Sequence, residues 1–241
     1  LSYMVSAQAN HTNVDQTHQY IELDDITKIN LIGKLQWDIN DKKKLNTIFS
    51  WFDNIDASHS STMDTDTRII RKAINVNHKW QISPEWMLSQ FYRTSEYSRR
   101  YQQIYPNGDI KSDDLTEERE SEVELTAVYE KNTTTINVGT EISSASYKSD
   151  RISDGEKLLN YSSVYGQIDF TPFSNWNFIL GSRVDDHSEL TPIYSPRIAI
   201  MYSLNKRWKL RSMWGTGFRM PTFMDRYIDW YHYQFGYTVI G

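Results

Sequence analysis

The chain has 241 residues, with 26 basic and 31 acidic side chains and a net charge of −5. The acidic balance argues against a general nucleic-acid partner. The absence of cysteine excludes disulfide frameworks, zinc–thiolate sites and cysteine nucleophiles from this sequence. No run approaches the roughly 18 apolar residues of a transmembrane helix, but membrane barrels need only about 9–11 alternating residues per strand.

The opening stretch, Leu1 to Ala9, reads as a strand that enters a polar loop from His11 to Asp25. Leu1-Ser2-Tyr3-Met4 shows no basic region followed by an apolar core, and the sequence begins as an internal piece of a longer chain would. Next, Ile29, Leu31, Gly33, Leu35, Trp37 and Ile39 alternate with mainly polar residues, and Asn40-Asp41-Lys42-Lys43 turns the chain into Leu45 to Ile55. A period of two is the strand period. A polar loop is expected from Asp56 to Thr67.

Arg71 to Ile82 and Trp86 to Tyr101 form the next pair, joined at Ser83-Pro84-Glu85. A long acidic loop is expected from Gln102 to Glu120, with a turn signal at Pro106-Asn107-Gly108. The third pair, Glu122 to Tyr129 and Thr134 to Tyr147, closes at Glu130-Lys131-Asn132. A loop from Lys148 to Glu156 leads to the hairpin Asn160 to Asp186, where Val164, Ile168, Phe170, Trp176, Phe178, Leu180 and Val184 share one face. The last pair is Pro196 to Tyr202 and Trp208 to Trp214; an aromatic, irregular tail runs from Gly215 to Gly241.

Five hairpins with tight turns at one end and longer loops at the other make an all-β, up-and-down antiparallel pattern. Trp37, Trp80, Trp86, Tyr129, Phe170, Trp176, Tyr202 and Trp208 all fall near tight turns, as an interfacial girdle does. Lys34, Gln36, Asn75, Lys79, Glu124, Asn137, Glu141, Gln167, Asp169, Lys209 and Arg211 lie opposite the apolar face. A small soluble barrel must pack its interior. A charged interior therefore indicates a wide transmembrane β-barrel.

Two blocks in the last third resemble the TonB-dependent outer-membrane receptors. Gly181-Ser182-Arg183-Val184-Asp185-Asp186-His187-Ser188 with Ser195-Pro196-Arg197-Ile198-Ala199 is similar to that family's GxRxDxHS…SPRxA stretch. Gly217-Phe218-Arg219-Met220-Pro221-Thr222-Phe223-Met224-Asp225-Arg226-Tyr227 is similar to its GFRAP box. Met220 stands for the usual Ala, Phe223 for Leu, and Asp225-Arg226 for Glu-Leu. The resemblance implies a barrel of about 22 strands, with a plug domain and a TonB-contacting segment. It also implies energy-dependent uptake of a scarce chelate across the bacterial outer membrane. The partners implied are the TonB complex, outer-membrane lipid, lipopolysaccharide and a small-molecule chelate. Residues 1–241 are then a partial barrel domain of about 10–12 strands, without the plug.

No serine has a convincing His and acid near it, so an enzyme is not expected, nor is a resident cofactor or metal site. Asp185-Asp186-His187 reads as a solvated loop mouth. The sharper candidates are His232 and its neighbours Tyr227, Trp230, Tyr231 and Tyr233, together with box residues Phe218, Arg219 and Pro221. Imidazole and aromatic rings suit a porphyrin, and in haem-uptake members of the family a His placed between the FRAP box and the family's following NPxLxPE box ligates the iron. A ferric siderophore or a corrinoid suits the same aromatic loop. The competing readings are a passive porin or structural barrel and, more remotely, a soluble carbohydrate-binding β-domain.

Overall fold

A computed structural model describes residues 1–13, 25–60, 62–232 and 236–240. Eleven strands follow one another in a single sheet: β1 (Ser2–Asn13), β2 (Asp25–Asn40), β3 (Lys43–Ser58), β4 (Asp64–Gln81), β5 (Trp86–Ile104), β6 (Ile110–Lys131), β7 (Thr134–Ser149), β8 (Glu156–Phe173), β9 (Trp176–His187), β10 (Leu190–Ser203) and β11 (Lys209–Gly215). Each pairs antiparallel with its sequence neighbour, and β1 and β11 form the two edges. The tail carries a short helix, α1 (Phe223–Tyr227), and a hairpin of β12 (Asp229–His232) and β13 (Tyr237–Ile240).

The register turns the alternation of each strand into two continuous faces. Tyr129, Ile136, Ile168, Leu180 and Ile198 form one cross-strand row; Val123, Ile142 and Ser162 belong to another on the same face. These apolar side chains are not enclosed: Val123, Val138, Ile142 and Val164 are all about half exposed or more. Only Tyr147, Ile152 and Leu159 are buried apolar residues among those described. The sheet is thus built inside out, with its apolar face exposed, as the outward face of a membrane barrel is. On β9 that face runs from Trp176 to Val184, about 26 Å at ~3.3 Å per residue, close to the roughly 25 Å apolar band of an outer-membrane barrel.

At the tight-turn end the expected aromatic row is present. Trp86 meets Tyr129 at 4.9 Å, Trp176 meets Tyr202 at 4.5 Å, and the Lys43 ammonium lies 4.6 Å from the Trp80 ring. At the other end the strands run further than the sequence pattern indicates. The stretch expected as a loop over Gln102 to Glu120 is mostly ladder, and the chain turns only around Pro106-Asn107-Gly108. The Asp56 to Thr67 loop shortens similarly, and β1 continues through His11. Hydrophobic alternation stops because the outward positions here lie beyond the apolar band. Cross-strand ion pairs replace it: Lys72 to Glu96 at 3.7 Å, Arg119 to Glu96 at 3.9 Å, and Arg100 to Asp113 at 2.6 Å.

Candidate functional site: the strap and the inner wall

The inner face of β6 to β9 is polar. Glu118, Glu120, Glu122 and Glu124 occupy successive inward positions of β6, and Glu141 stands opposite Glu124 on β7. Arg93 on β5 pairs with Glu120 at 3.8 Å, and Arg183 on β9 is the counter-charge of Glu141 and Asp185. Its Nε donates to Asp185 Oδ1 at 2.6 Å and its Nη2 to Glu141 Oε2 at 2.7 Å, with a further bond to the Tyr161 hydroxyl. The guanidinium lies 5.9 Å from the Tyr161 ring and 5.5 Å from the Tyr165 ring. Arg183 is therefore spent within the wall. Tyr165 reaches over Gly139, pairing with Thr126 on β6 at 2.7 Å and donating to Glu124. A Cβ at Gly139 would sit 2.4 Å from the Tyr165 ring, so glycine is required there for the ring to cross the neighbouring strand.

Asp185 and His187 are buried, not solvated at a loop mouth. Asp186 lies on the opposite face of β9 from both, because neighbouring strand residues alternate. The three do not converge on a point where one metal ion would sit.

Beyond β11 the chain leaves the sheet. Gly215 comes close to Pro196, whose carbonyl oxygen would lie 3.0 Å from an added Cβ, and the Thr216 N–H donates to that carbonyl at 3.1 Å. The segment Gly217 to Tyr227 then runs as a strap across the inner wall. Thr222 caps α1: its hydroxyl accepts from the Asp225 N–H at 3.1 Å, while the Asp225 carboxylate accepts from the Thr222 N–H at 2.8 Å. This reciprocal box explains why an acid is useful at that position. The Thr222 backbone N–H, then its side chain, holds the Asp225 carboxyl below its ordinary value.

The strap is tied down at few points. Phe223 stacks on Tyr147 of β7 with ring centroids 5.3 Å apart, and the Tyr147 hydroxyl donates to Met224 Sδ at 3.2 Å. Arg226 bonds Glu189 at 3.1 Å, and the Tyr227 hydroxyl donates to the same carboxylate. Burial, aided by that bond, pushes the Tyr227 phenol up to about 12. The strap's far end docks on the β7–β8 connection: the Ser153 N–H donates to the Tyr227 carbonyl at 3.1 Å, and the Asp229 N–H to the Arg151 carbonyl at 3.0 Å.

Between strap and wall lies a cleft of about 810 Å³. Glu118, Glu120, Glu141, Tyr147, Tyr161 and Arg183 line it from the wall, and Phe218, Pro221, Thr222 and Phe223 from the strap. Of the sequence candidates, Phe218 and Pro221 thus reach the cleft, whereas Arg219 does not line it. Tyr227 anchors the strap. Trp230 packs under Arg151, 4.9 Å from its guanidinium, and Tyr231 is exposed. The His232 backbone pairs with Tyr237; Tyr233 lies outside the described residues. Glu118 and Glu120 escaped the sequence reading, which placed them in a loop. The alternation of charge from Glu118 to Glu124 is the signal that marks them as strand.

The family model described as TonB dependent receptor-like, beta-barrel matches residues 13–241. Among solved structures, the siderophore receptor PirA from Pseudomonas aeruginosa superposes with a TM-score of 0.68 at 15% identity, over 92% of this chain and 37% of that one. PirA from Acinetobacter baumannii gives 0.66 at 16%, over 91% and 38%. The copper transporter OprC gives 0.70 at 11%, over 92% and 42%. The chain therefore spans about two fifths of the length of these structures, and at such identities the likeness is one of fold. No curated protein sequence matches it.

Proposed function

Because this chain belongs to the TonB-dependent receptor β-barrel family, we propose that it forms part of the wall of an outer-membrane receptor for energy-dependent uptake of a scarce chelate. The observation that carries this reading is the pairing of a lipid-facing apolar band with a charged inner wall that bears a strap-covered cleft. A ligand seated there is screened from lipid and opens to the barrel interior. The remainder of the barrel, the plug and the TonB-contacting segment belong to the rest of the receptor, in a Gram-negative outer membrane rich in lipopolysaccharide.

The substrate class proposed is a metal chelate, with a ferric siderophore favoured because two of the structural neighbours are siderophore receptors. Tyr227 at the end of the strap and Trp230, Tyr231 and His232 of β12 form the proposed contact for its aromatic or apolar parts, and Tyr233, which lies outside the described residues, stays a sequence candidate for it. Haem is the special case in which His232 would ligate the iron. Uptake of radiolabelled ferric chelates by cells limited for iron tests the reading. Accumulation should require both the receptor and an intact TonB complex. Accumulation that persists in de-energised cells would favour a passive pore instead. If haem is the ligand, His232→Ala should abolish the haem-bound absorption spectrum of the purified receptor.

A further inference from the structure

The inner wall carries a trench that the strands' register alone defines. Ser50, Ala73, Ser95, Glu120, Ala145 and Leu159 stand opposite one another in a row across β3 to β8. Four of these six side chains are serine or alanine. The next row toward the outer end is tall: Phe52, Arg71, Tyr97, Glu118 and Tyr147. The row on the other side is Ile48, Asn75, Arg93, Glu122, Ser143 and Tyr161, tall except at Ser143. A low row between two tall ones is a groove.

That groove does not form one cavity. It is the floor of two: the cleft of about 810 Å³ already described and a second of about 690 Å³ over β3 to β7. The two share Glu118, Glu120 and Ala145 of the wall, and of the strap they share Phe223. Phe223 is held there by its stack on Tyr147 and by the short, capped helix that carries it. α1 has no buried residue, so little apolar burial opposes its displacement.

Resting on the uptake reading above, we propose that Phe223 is a specificity-determining residue: its ring partitions the trench and so limits the size of a ligand that seats against the wall. With the ring in place each half holds a ligand of ordinary size, since pockets of about 300–1,000 Å³ suit drug-sized molecules. With the ring displaced, the trench becomes one continuous basin that admits a bulkier chelate.

The test needs no knowledge of the natural ligand. In the full-length receptor in outer membranes, Ala145→Cys places a thiol on the shared floor, in a stretch with no cysteine of its own, and labelling of the receptor with Ala145 intact is subtracted as background. Methanethiosulfonate ethylammonium is the small probe and fluorescein maleimide the bulky one. With Phe223 present, the small probe reacts readily and the bulky one slowly. Phe223→Ala should raise the bulky probe's rate about tenfold or more and leave the small probe's rate within about threefold, because local opening is no longer needed. Phe218→Ala, on the same strap but bordering only the first cleft, should change neither rate. If Phe223→Ala accelerates both probes alike, or neither, the partition is overturned. Should that variant not assemble, Phe223→Leu must still give a selective gain for the bulky probe. Energy-dependent uptake of ferric chelate by the unmodified receptor is measured separately, so loss of the uptake reading and loss of the partition are distinct results.

Discussion

The wall and the strap are held by different means. Along β5 and β6 the backbone ladder is continuous from Trp86 opposite Tyr129 to Gln103 opposite Ser112, and each residue is fixed by its neighbours. The strap, from Thr216 to Ile228, meets the wall through a few backbone bonds, one stacked ring pair, the Tyr147 hydroxyl on Met224, the Lys157 ammonium over Tyr227 and the Glu189 carboxylate. Rigidity therefore sits in the backbone pairing, and the surface that a ligand would meet rests on the part that costs least to move.

The strongest challenge to this contrast is a charge on the wall's exposed apolar face. Val138→Arg, within the apolar band, should cost about 2–4 kcal/mol of barrel stability, whereas Asn137→Arg on the inner face should cost little. Folded receptor recovered in outer-membrane fractions measures this, and equal recovery would break the assignment of faces. Next in size is Gly139→Val, which must push Tyr165 off Thr126 and Glu124. A loss of about 1–3 kcal/mol is expected in denaturant titration. Gly166→Ala serves as control, because its Cβ would meet nothing closer than 3.8 Å. Arg183→Gln leaves Glu141 and Asp185 without their cation. The arginine side chain is 33% exposed, so the loss should be held to about 1–2 kcal/mol.

Strap variants should behave in the opposite manner. Glu189→Gln should leave wall stability within about 0.5 kcal/mol and yet speed hydrogen exchange of the Ile228 and Asp229 amides. Unchanged exchange there would mean that the strap is as firmly held as the wall. The smallest effect is one of pH. The Tyr227 phenol is raised from 10.0 to about 12 in the folded state, by burial first and Glu189 second. An acid whose folded value is raised contributes fully below its unfolded value and less as pH climbs through the folded one. Strap docking should therefore weaken between pH 10 and about 12. Tyr227→Phe should remove that part of the exchange profile.

The same contrast governs what was legible in the sequence. Wherever one strand face is apolar and the other polar, hydrophobic alternation marks both strand and facing, as in Ile136-Val138 against Asn137-Gly139. Once the strands rise beyond the apolar band, neither face need be apolar. The segment from Asp113 to Glu120 then reads as loop although it is ladder. The strap was legible only through its resemblance to a known box, since its docking depends on a ring stack and a shared carboxylate that no periodicity encodes. Phe223 shows this plainly: in the sequence it is a departure from the usual Leu, and in the fold it is the wall between two clefts.

Every pairing in the eleven-stranded sheet joins strands that are neighbours in sequence. For the kinetics of assembly this matters as much as for architecture. The entropy of closing a loop grows with its length, and sheets with distant pairings fold slowly. Here no strand waits for a remote partner. Each new one has its template in the strand just laid down, and closure is needed only over a single hairpin connection at a time. The sheet can grow as a zipper from any hairpin.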